Sequence, residues 1–502
     1  MDLLQSLALG LGTALSPENF ALCFAGALLG TLIGVLPGLG PTATVAMLLP
    51  LTYYLSPTGA MIMLAGIYYG SQYGGSTTAI LMNLPGEVSS SVTAIDGYQM
   101  ARRGEAGKAL SIAAIGSFLA GSFATFVIAA VALPLAALAL QFGSTEYFAL
   151  ILLGLVTSTA LAHGSVLKAI AMIVAGILFG IVGTDVDSGA YRFTLGMVEL
   201  TDGLSVVAVA LGIFGIVEIL KNLESINDNP VITSKITRLM PTRADLRAAA
   251  GPVVRGSILG SILGTLPGGG SILSAFASYT LEKRISKTPE RFGKGAIEGV
   301  AGPESANNAG AQTSFIPLLT LGIPSHPLMA LMMGALLIQG ITPGPNVVHQ
   351  QPALFWGIIA SMWIGNAMLI ILNLPLVGLW VSLLKVPYRF MIPAIVGFSV
   401  IGVFTVSNSA FDVYVLASFG LLGYVFHKLG CEPAPFLMGF VLGALLEEHL
   451  RRALVFSHGD PSTFITHPIA GTLLAITVVV LLVVTLPSIR RKRDEVFVED
   501  EG

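Results

Sequence analysis

Charged side chains are scarce in this sequence. Aspartate, glutamate, lysine and arginine make up 11% of the 502 residues, whereas 54% are hydrophobic and the mean hydropathy is +0.83. Soluble proteins usually carry about 25% charged residues, and so little charge cannot cover a water-exposed surface of this size. The composition therefore excludes an ordinary soluble protein. It indicates a chain whose solvent is lipid, in which a spanning helix needs about 20 mostly apolar residues.

Cysteines and enzyme signatures are also few or missing. Cys23 and Cys431 lie in apolar surroundings, so the sequence implies neither a disulfide nor a metal site. The net charge is −3, and there is no basic stripe of the kind that binds nucleic acid. The sequence contains no His-Glu-x-x-His, Gly-x-Ser-x-Gly or Walker A motif, which makes a membrane enzyme the least favoured class. No cofactor is expected.

Long apolar stretches fill most of the chain and are interrupted by glycine and proline. They predict an all-α integral membrane protein, a polytopic helical bundle of roughly 11 to 14 membrane segments, some broken or re-entrant. A polar stretch near the middle divides the bundle into two structural repeats. We expect membrane repeat 1 over residues 1–225, a cytoplasmic linker over 226–250, membrane repeat 2 over 251–460, and a terminal membrane helix with a basic cytoplasmic tail over 461–502.

One glycine and proline pattern occurs twice with a constant spacing. Residues 26–40 read GALLGTLIGVLPGLG and residues 256–270 read GSILGSILGTLPGGG, an offset of 230 without gaps. Glycines four apart lie on one helix face and let another backbone approach closely. The Pro-Gly pair then ends the helix, because proline lacks a donor and glycine accepts positive φ. Paired breaks of this kind mark binding sites in repeat transporters, although a tight packing kink is the alternative for each motif.

A second, weaker pair of motifs follows the first. Residues 70–78 read GSQYGGSTT and lead to Asn-Leu-Pro-Gly at 83–86, while residues 307–314 read NNAGAQTS and lead to Gly-Ile-Pro-Ser at 322–325. Each is a run of small and polar residues within an apolar segment, followed by a proline break. Such runs suit either polar contacts between helices or a site at membrane depth.

The distribution of basic residues predicts the orientation. Four basic residues at 490–493 follow the last apolar stretch, and the positive-inside rule places this tail and the basic linker in the cytoplasm. If the repeats are inverted, the end of repeat 2, near His458, lies outside. Arg451 and Arg452 fit an outside position if Glu447 and Glu448 neutralise them at i,i+4 spacing. We expect inverted repeats, with parallel repeats as the alternative, and the basic run 283–294 has no assigned side.

Four stretches resemble the large membrane subunit of the tripartite tricarboxylate transporters, the TctA family. They are residues 34–42 (GVLPGLGPT), 73–98, 264–270 (GTLPGGG) and 302–324, the last with Glu-Ser-Ala-Asn-Asn-Ala at 304–309. Pro324-Ser325 departs from the Pro-Gly that is more frequent in the family. The resemblance implies a secondary transporter of di- or tricarboxylates such as citrate, driven by a sodium or proton gradient. It also implies a bacterial inner-membrane location, a small four-helix membrane subunit and a periplasmic substrate-binding protein as partners.

A carboxylate that crosses a bilayer needs compensation of its charge. Helix N-termini supply partial positive charge and free N–H donors, and Pro-Gly-x-Gly loops can expose such N-termini. The predicted substrate-binding residues are Gly38, Gly40, Thr42, Ser76, Thr77, Gly268, Gly269, Gly270, Ser271, Thr313 and Ser314.

Oxygen-bearing side chains near the breaks are candidates for cation coupling. The predicted residues are Asn83, Glu304, Asn307 and Asn308, because amide and carboxylate oxygens suit a hard cation and a carboxylate can also carry a proton. Glu304 could instead be a solvated loop carboxylate or a helix cap. The paired breaks favour an elevator mechanism, while a carboxylate-permeable channel and a non-transporting membrane scaffold remain alternatives.

Overall fold

Helices make up nearly all of the regular structure. A computed structural model describes residues 2–36, 39–84, 86–160, 165–185, 187–224, 239–266, 270–383 and 388–485. Within these residues the strands are one short antiparallel pair, β1 (Gly183–Thr184) and β2 (Tyr191–Arg192). The predicted all-α polytopic membrane class is confirmed. Parts of the linker and the basic tail, 225–238 and 486–502, lie outside the described residues.

The first half of the chain contains ten α-helices among its described residues. They are α1 (Leu3–Ala14), α2 (Pro17–Gly34), α3 (Pro41–Leu48), α4 (Pro57–Met82), α5 (Val88–Arg102), α6 (Ala106–Ala139), α7 (Ser144–Ala160), α8 (Val166–Gly180), α9 (Val206–Ala210) and α10 (Val217–Glu224). A 3₁₀ turn, Leu49–Thr52, extends α3, and a π-helical stretch, Leu211–Ile216, joins α9 to α10.

The second half contains the remaining described helices. They are α11 (Arg243–Gly264), α12 (Gly270–Ile285), α13 (Glu298–Thr313), α14 (Pro327–Ile338), α15 (Val347–Gln350), α16 (Pro352–Asn373), α17 (Val377–Leu383), α18 (Tyr388–Ser407), α19 (Ala410–Lys428), α20 (Pro433–Phe456), α21 (Thr463–Thr466) and α22 (Pro468–Thr485). A π-helical turn, Pro317–Leu321, follows α13. Two further 3₁₀ turns are Val198–Leu200 and Pro289–Arg291.

Six stretches in the described part of the chain are long and apolar enough to cross a membrane unaided. They are α2, α6, the α9–α10 stretch Val206–Glu224, α16, α19 and α22. Other apolar helices, such as α3 and α14, have fewer residues than a full crossing needs. Several of these shorter helices begin directly after a proline-containing motif that ends the preceding helical segment. The expected broken segments are therefore present.

Local sequence sets where many of these helices begin. Proline occupies the first position of α2, α3, α4, α14, α16 and α20, where its missing N–H costs no hydrogen bond. Ser16 and Ser56 cap α2 and α4 by accepting bonds from the N–H groups of Asn19 and Gly59. Thr242 and Asp245 form a reciprocal capping box at the start of α11.

The repeated glycines pack two pairs of parallel helices. Along α2, a Cβ on Gly26, Gly30 or Gly34 would overlap the carbonyl oxygen of Met63, Ile67 or Ser71 on α4. Along α11, the glycines at 256, 260 and 264 approach residues 302, 306 and 310 of α13 in the same way. We call each row of glycine contacts a glycine ladder. In both ladders the contacting residue numbers rise by four on both helices, so the two helices of each pair are parallel. The packing predicted from the glycine spacing is confirmed in both halves.

The second pair of motifs also has matching geometry. α4 ends at Asn83 with φ 54°, and the π-helical turn after α13 ends at Gly322 with φ 70°, both in the left-handed region. These two helix ends lie 239 positions apart, the same spacing that separates Met63 from Gly302 in the two ladders. The weaker sequence pair therefore marks equivalent breaks.

α4 and α13 run in opposite directions. Tyr69 contacts Phe315 with ring centroids 6.2 Å apart, whereas Ser76 bonds to Glu304 at 2.9 Å. Residue numbers along α13 therefore fall as the contacting residue numbers along α4 rise. α4 is parallel to α2, and α13 is parallel to α11. Because α4 and α13 are antiparallel to each other, the α2–α4 unit is antiparallel to the α11–α13 unit. The expected inversion of the repeats is confirmed by this arrangement.

Basic residues gather at one end of the bundle. Lys108 at the start of α6 pairs with Asp245 at the start of α11 at 2.8 Å. Asp96 of α5 accepts the N–H groups of Gly295 and Ala296 at 2.7 and 2.8 Å, which brings the loop after α12 to this same end. The basic run 283–294, whose side the sequence left open, therefore shares a face with the end of the linker.

The opposite end carries balanced charges. α6 has 34 residues, and at about 1.5 Å per residue it is about 51 Å long, so its two ends lie on opposite sides of a bilayer. At the far side Arg451 pairs with Glu447 at 2.6 Å and Arg452 with Glu448 at 2.5 Å, as predicted. Arg451 also bonds to Asp185 of the β-hairpin loop at 2.8 Å.

Asp185 organises the turn between β1 and β2. Its Oδ1 accepts the N–H of Asp187 at 2.9 Å. This backbone bond, with the guanidinium of Arg451, lowers the pKa of the Asp185 carboxyl to about 2. The carboxylate thus stays charged and holds the loop to α20 over the whole physiological pH range.

Candidate functional site

Four helices begin where Pro-Gly or Pro-Ser motifs interrupt the helical structure within the two repeats. α3 and α12 begin after the two Leu-Pro-Gly-x-Gly motifs, with Gly40 as the N-cap of α3 and Gly270 as the first residue of α12. α5 and α14 begin after the two later breaks, with Glu87 and His326 as their N-caps. Each start leaves backbone N–H groups without helical partners and carries partial positive charge.

Contacts bring the two starts of each repeat together. A Cβ on Gly40 would meet the oxygen of Gly86 at 2.8 Å, and one on Gly270 would meet the His326 ring at 3.0 Å. Glycine is required at both close approaches, and Gly270 also has φ +54°. Each Leu-Pro-Gly-x-Gly loop therefore packs against the later break of its own repeat.

Side-chain contacts tie the starts of α5 and α14 to the long helices α4 and α13. Asn307 donates to Glu87 at 3.0 Å and lies 3.5 Å from the amide of Gln72. Nε2 of His326 lies 3.2 Å from Oγ of Ser314, and its ring is 6.2 Å from that of Tyr68. We call this set of loops and helix starts the central loop cluster, comprising residues 39–42, 83–84, 86–87, 270–271 and 322–327.

A separate polar cluster surrounds Glu304, which is 1% exposed. Its carboxylate accepts from Ser76 at 2.9 Å, from Thr93 at 2.7 Å and from Ser117 at 3.4 Å. Asn308 donates to Ser117 at 2.7 Å. Glu304 takes part in none of the ion pairs found within the described residues. The alternative interpretation of Glu304 as a solvated loop residue is wrong.

The predicted substrate residues separate into two groups. Gly40, Thr42, Gly270, Ser271 and Ser314 lie in or beside the central loop cluster, and Gly40 and Thr42 are partly exposed. Ser76 and Thr77 lie instead beside Glu304, where Ser76 donates to the carboxylate.

Thr313 lies beside the C-terminal end of α11, close to the connection between α11 and α12. Its hydroxyl donates to the carbonyl of Ala309 at 3.0 Å, and its side chain lies against Gly264. The Gly38, Gly268 and Gly269 predictions fall outside the described residues.

The predicted cation residues also divide. Glu304 and Asn308 share one hydrogen-bond network through Ser117. Asn307, on another face of α13, bonds to Glu87. Asn83 is exposed at the end of α4. Within the described residues, no group of three His, Cys, Asp or Glu side chains is placed to hold a metal ion.

Several residues of these clusters were not singled out from the sequence. Thr93, Ser117 and Asn373 lie on α5, α6 and α16, and nothing in their local sequence marks them as polar partners of α13. Glu87 carried a usable signal, because it directly follows the Leu-Pro-Gly break at 84–86. An acidic residue at a predicted helix start at membrane depth warrants attention.

Two Agrobacterium vitis proteins are similar in sequence to this chain. The chain is 62% identical over 501 residues to an Agrobacterium vitis protein described as "Uncharacterized 52.8 kDa protein in TAR-I ttuC' 3'region", and the match covers 100% of both chains. It is 65% identical over 242 residues to "Uncharacterized protein in TAR-II ttuC' 3'region" of the same organism, covering 48% of this chain and 100% of that one. No solved structure matches the chain.

A family profile covers most of the sequence. The profile of the tripartite tricarboxylate transporter TctA family matches residues 20–438, which include both hairpins, all four central breaks and the Glu304 cluster. The resemblance inferred from the motifs is thus confirmed. This chain belongs to the tripartite tricarboxylate transporter TctA family, the membrane subunits of these transporters.

Proposed function

We propose that this protein is the large membrane subunit of a binding-protein-dependent transporter and takes up di- or tricarboxylates by secondary active transport coupled to Na⁺ or H⁺. The observation that carries the proposal is the pairing of helix N-termini at the break of each repeat, those of α3 and α5 in one and those of α12 and α14 in the other, with the start of α5 already capped by Glu87. Such starts bind carboxylates through free N–H groups and the helix dipole.

The chemistry of the cluster suits an anion that must be released again. Hydroxyl groups of Thr42, Ser271 and Ser314 and the imidazole of His326 lie at or next to the helix starts. Dipoles and hydroxyls compensate negative charge without the strong desolvation cost of a buried lysine or arginine. Glu87 lies in the same cluster, so a bound carboxylate needs a cation or a proton nearby to limit repulsion.

The inverted repeats supply a route for alternating access. One hairpin, α2–α3, and the other, α11–α12, approach the central loop cluster from opposite ends of the bundle, because the two repeats run antiparallel. A substrate held between the hairpin tips can then be exposed to either side by movement of the two-hairpin unit, as in an elevator mechanism.

The charge distribution supports a bacterial inner-membrane location with a cytoplasmic C-terminus. The basic run 283–294 and the linker end share one face, whereas Arg451 and Arg452 at the opposite face are paired with glutamates. By the positive-inside rule the basic face is cytoplasmic. The opposite face is then available to a periplasmic substrate-binding protein, and a small four-helix membrane subunit completes the transporter.

The proposal is tested by uptake into proteoliposomes that contain all three subunits, under imposed sodium or proton gradients, across a panel of di- and tricarboxylates. Ser271→Ala removes a hydroxyl at the start of α12 and is expected to weaken apparent substrate affinity about tenfold, the value of one hydrogen bond to a charged group. Ser278→Ala on the same helix, two turns from the break, is the matched control and should leave affinity unchanged.

Several outcomes would contradict the proposal. Uptake that neither saturates nor depends on a gradient would identify a channel. Absence of carboxylate uptake with every subunit present would favour a scaffold. Equal affinities for Ser271→Ala and Ser278→Ala would remove the central loop cluster from the substrate site.

A further inference from the structure

A small cavity lies beside Glu304, away from the helix starts of the central loop cluster. It is lined by residues of α4, α6, α13, α16 and α17, is partly open, and has a volume of about 20 Å³, enough for about one water molecule or one dehydrated ion. One wall is apolar. The polar wall is formed by Tyr73, Ser76, Thr77, Ser117, Glu304 and Asn373.

The carboxylate in this wall needs a positive partner. Glu304 is 1% exposed, and its hydrogen bonds come from three neutral hydroxyl groups, those of Ser76, Thr93 and Ser117. An unpaired ionised carboxylate costs several kcal/mol in a dry interior. Within the described residues no lysine, arginine or histidine pairs with it. The surroundings therefore require a bound cation or a proton.

Two further oxygens in the wall lack partners among the described residues. Oδ1 of Asn373 and the hydroxyl of Tyr73 are buried without hydrogen bonds, and these residues are only 7% and 5% exposed. The Asn373 amide nitrogen donates to the carbonyl of Leu369 at 2.9 Å, which fixes the amide and leaves its oxygen unused. Buried polar atoms without partners are rare, and a bound water or ion in the adjoining cavity would satisfy these two.

The ligand set selects the class of ion. Carboxylate, hydroxyl and amide oxygens are ligands of hard cations, and sulfur or imidazole ligands are missing from the cavity wall. A single carboxylate balances one positive charge, whereas Ca²⁺ sites usually use several carboxylates and Mg²⁺ keeps much of its water shell. The small volume and the single negative charge thus fit a monovalent ion without its hydration shell.

We propose that this cavity binds one Na⁺, held by the Glu304 carboxylate, the hydroxyls of Ser76 and Ser117 and the amide oxygen of Asn373. The inference deepens the proposed function, since it assigns the coupling ion and its place. Asn307, which bonds to Glu87 in the central loop cluster, lies one turn of α13 from Glu304. Sodium binding therefore acts on the same helix that contacts the substrate loops.

Helices from different parts of the fold contribute to the site. Ser76 and Glu304 lie on the two broken helices that pack against the hairpins, whereas Ser117 and Asn373 lie on α6 and α16. An ion bound between them links the hairpin unit to its surrounding helices. Loss of the ion would leave Glu304 unpaired at this interface.

The test measures the melting temperature of the purified full-length protein without substrate, in increasing NaCl with choline chloride holding ionic strength constant. Wild-type protein should show a saturable rise in melting temperature with Na⁺, because a ligand that binds only the folded state stabilises it. Glu304→Gln should abolish the sodium response. Asn373→Leu should weaken apparent sodium affinity about tenfold or more, the loss of one ion–oxygen contact.

Asn366→Leu is the matched control. Asn366 is another buried asparagine of α16, but it bonds to Gln312 and does not line the cavity, so its variant should keep the sodium response. Should Asn373→Leu yield no folded protein, Ser117→Ala must weaken the response instead.

Three results would overturn the sodium site. They are a wild-type melting temperature equal in NaCl and choline chloride, a sodium response retained in Glu304→Gln, and a stabilisation that follows pH alone, which would make Glu304 a proton site. Because substrate is absent, failure here is distinct from failure of the proposed function. A sodium response without carboxylate uptake would remove the proposed function and leave the ion site intact.

Discussion

At the scale of single residues, the missing Cβ of glycine determines how the hairpins pack. Gly256, Gly260 and Gly264 place the backbone of α11 directly against that of α13. Apolar side chains gain little from meeting each other in lipid, since lipid tails are equally apolar, and close backbone packing is what favours helix association there. The ladder is therefore sensitive to one methyl group.

Gly260→Ala tests this sensitivity. The new Cβ would overlap the carbonyl oxygen of Ala306, and we expect destabilisation of about 1–3 kcal/mol from overpacking. Gly12→Ala in α1 is the control, because nothing lies within 4 Å of its Cβ position, and it should be neutral or slightly stabilising. Thermal unfolding in detergent gives both values. Equal stability of the two variants would contradict the proposed backbone contact.

At the scale of elements, an ion pair joins the two helices of the α11–α12 hairpin at the end away from their connection. Arg255 of α11 binds Glu282 of α12 through two bonds of 2.8 and 2.7 Å, and Glu282 is 2% exposed. Bidentate arginine–carboxylate contacts are among the stronger hydrogen bonds in proteins. The hairpin thus has a fixed base, while its tip contributes Gly270 and Ser271 to the central loop cluster.

A double-mutant cycle measures this base contact. With Arg255→Leu, Glu282→Leu and both together, we expect a coupling energy of about 1–2 kcal/mol, reduced from the buried value because Arg255 is 42% exposed. The exposed pair Glu448–Arg452, one turn apart on α20, is the comparison and should give about 0.5 kcal/mol or less. A coupling energy for Arg255–Glu282 no larger than that of the exposed pair would refute its role as a base contact.

At the scale of the whole molecule, inversion of the repeats places equivalent hairpins on opposite sides of one centre. The basic face includes the loop after α12, and the opposite face includes the β-hairpin and the loop after α20. This arrangement predicts which loops are accessible from each side of the membrane. It also places the two proposed sites, the central loop cluster and the Glu304 cavity, between the faces.

Site-specific labelling checks the orientation. In a background with Cys23→Ser and Cys431→Ser, we expect Lys294→Cys to react with a membrane-impermeant maleimide only from the cytoplasmic side, and Asp460→Cys only from the periplasmic side. Both positions are exposed in loops. Labelling is followed in intact cells and in inverted vesicles. Reaction of both cysteines from one side would rule out the assigned topology.

Much of the element-level description followed from the sequence, for particular reasons. Proline at helix starts, glycines every four residues and the Pro-Gly breaks act through local backbone sterics, so their effect can be read from neighbouring residues alone. The i,i+4 pairing of Arg451 with Glu447 is local in the same sense. These features predicted the repeat and the position of each break, whereas the membrane class followed from the composition.

The sites themselves depended on contacts between distant segments. Ser76 was placed with the substrate residues from its motif, yet α13 presents Glu304 to it and makes it a partner of that carboxylate. Ser117 and Asn373 carry no local signal, because their roles arise from the packing of α6 and α16 around α13.

The sequence by itself therefore determined that this chain is a membrane protein and repeats one broken-helix unit, since composition and short-range sterics control these properties, and its motifs carried the resemblance to the TctA family. Only the tertiary structure decided that the repeats run antiparallel, that helix starts pair at the break of each repeat, and that Glu304 is buried beside unused oxygens. Those properties follow from which distant helices pack together, and no spacing within one segment specifies that.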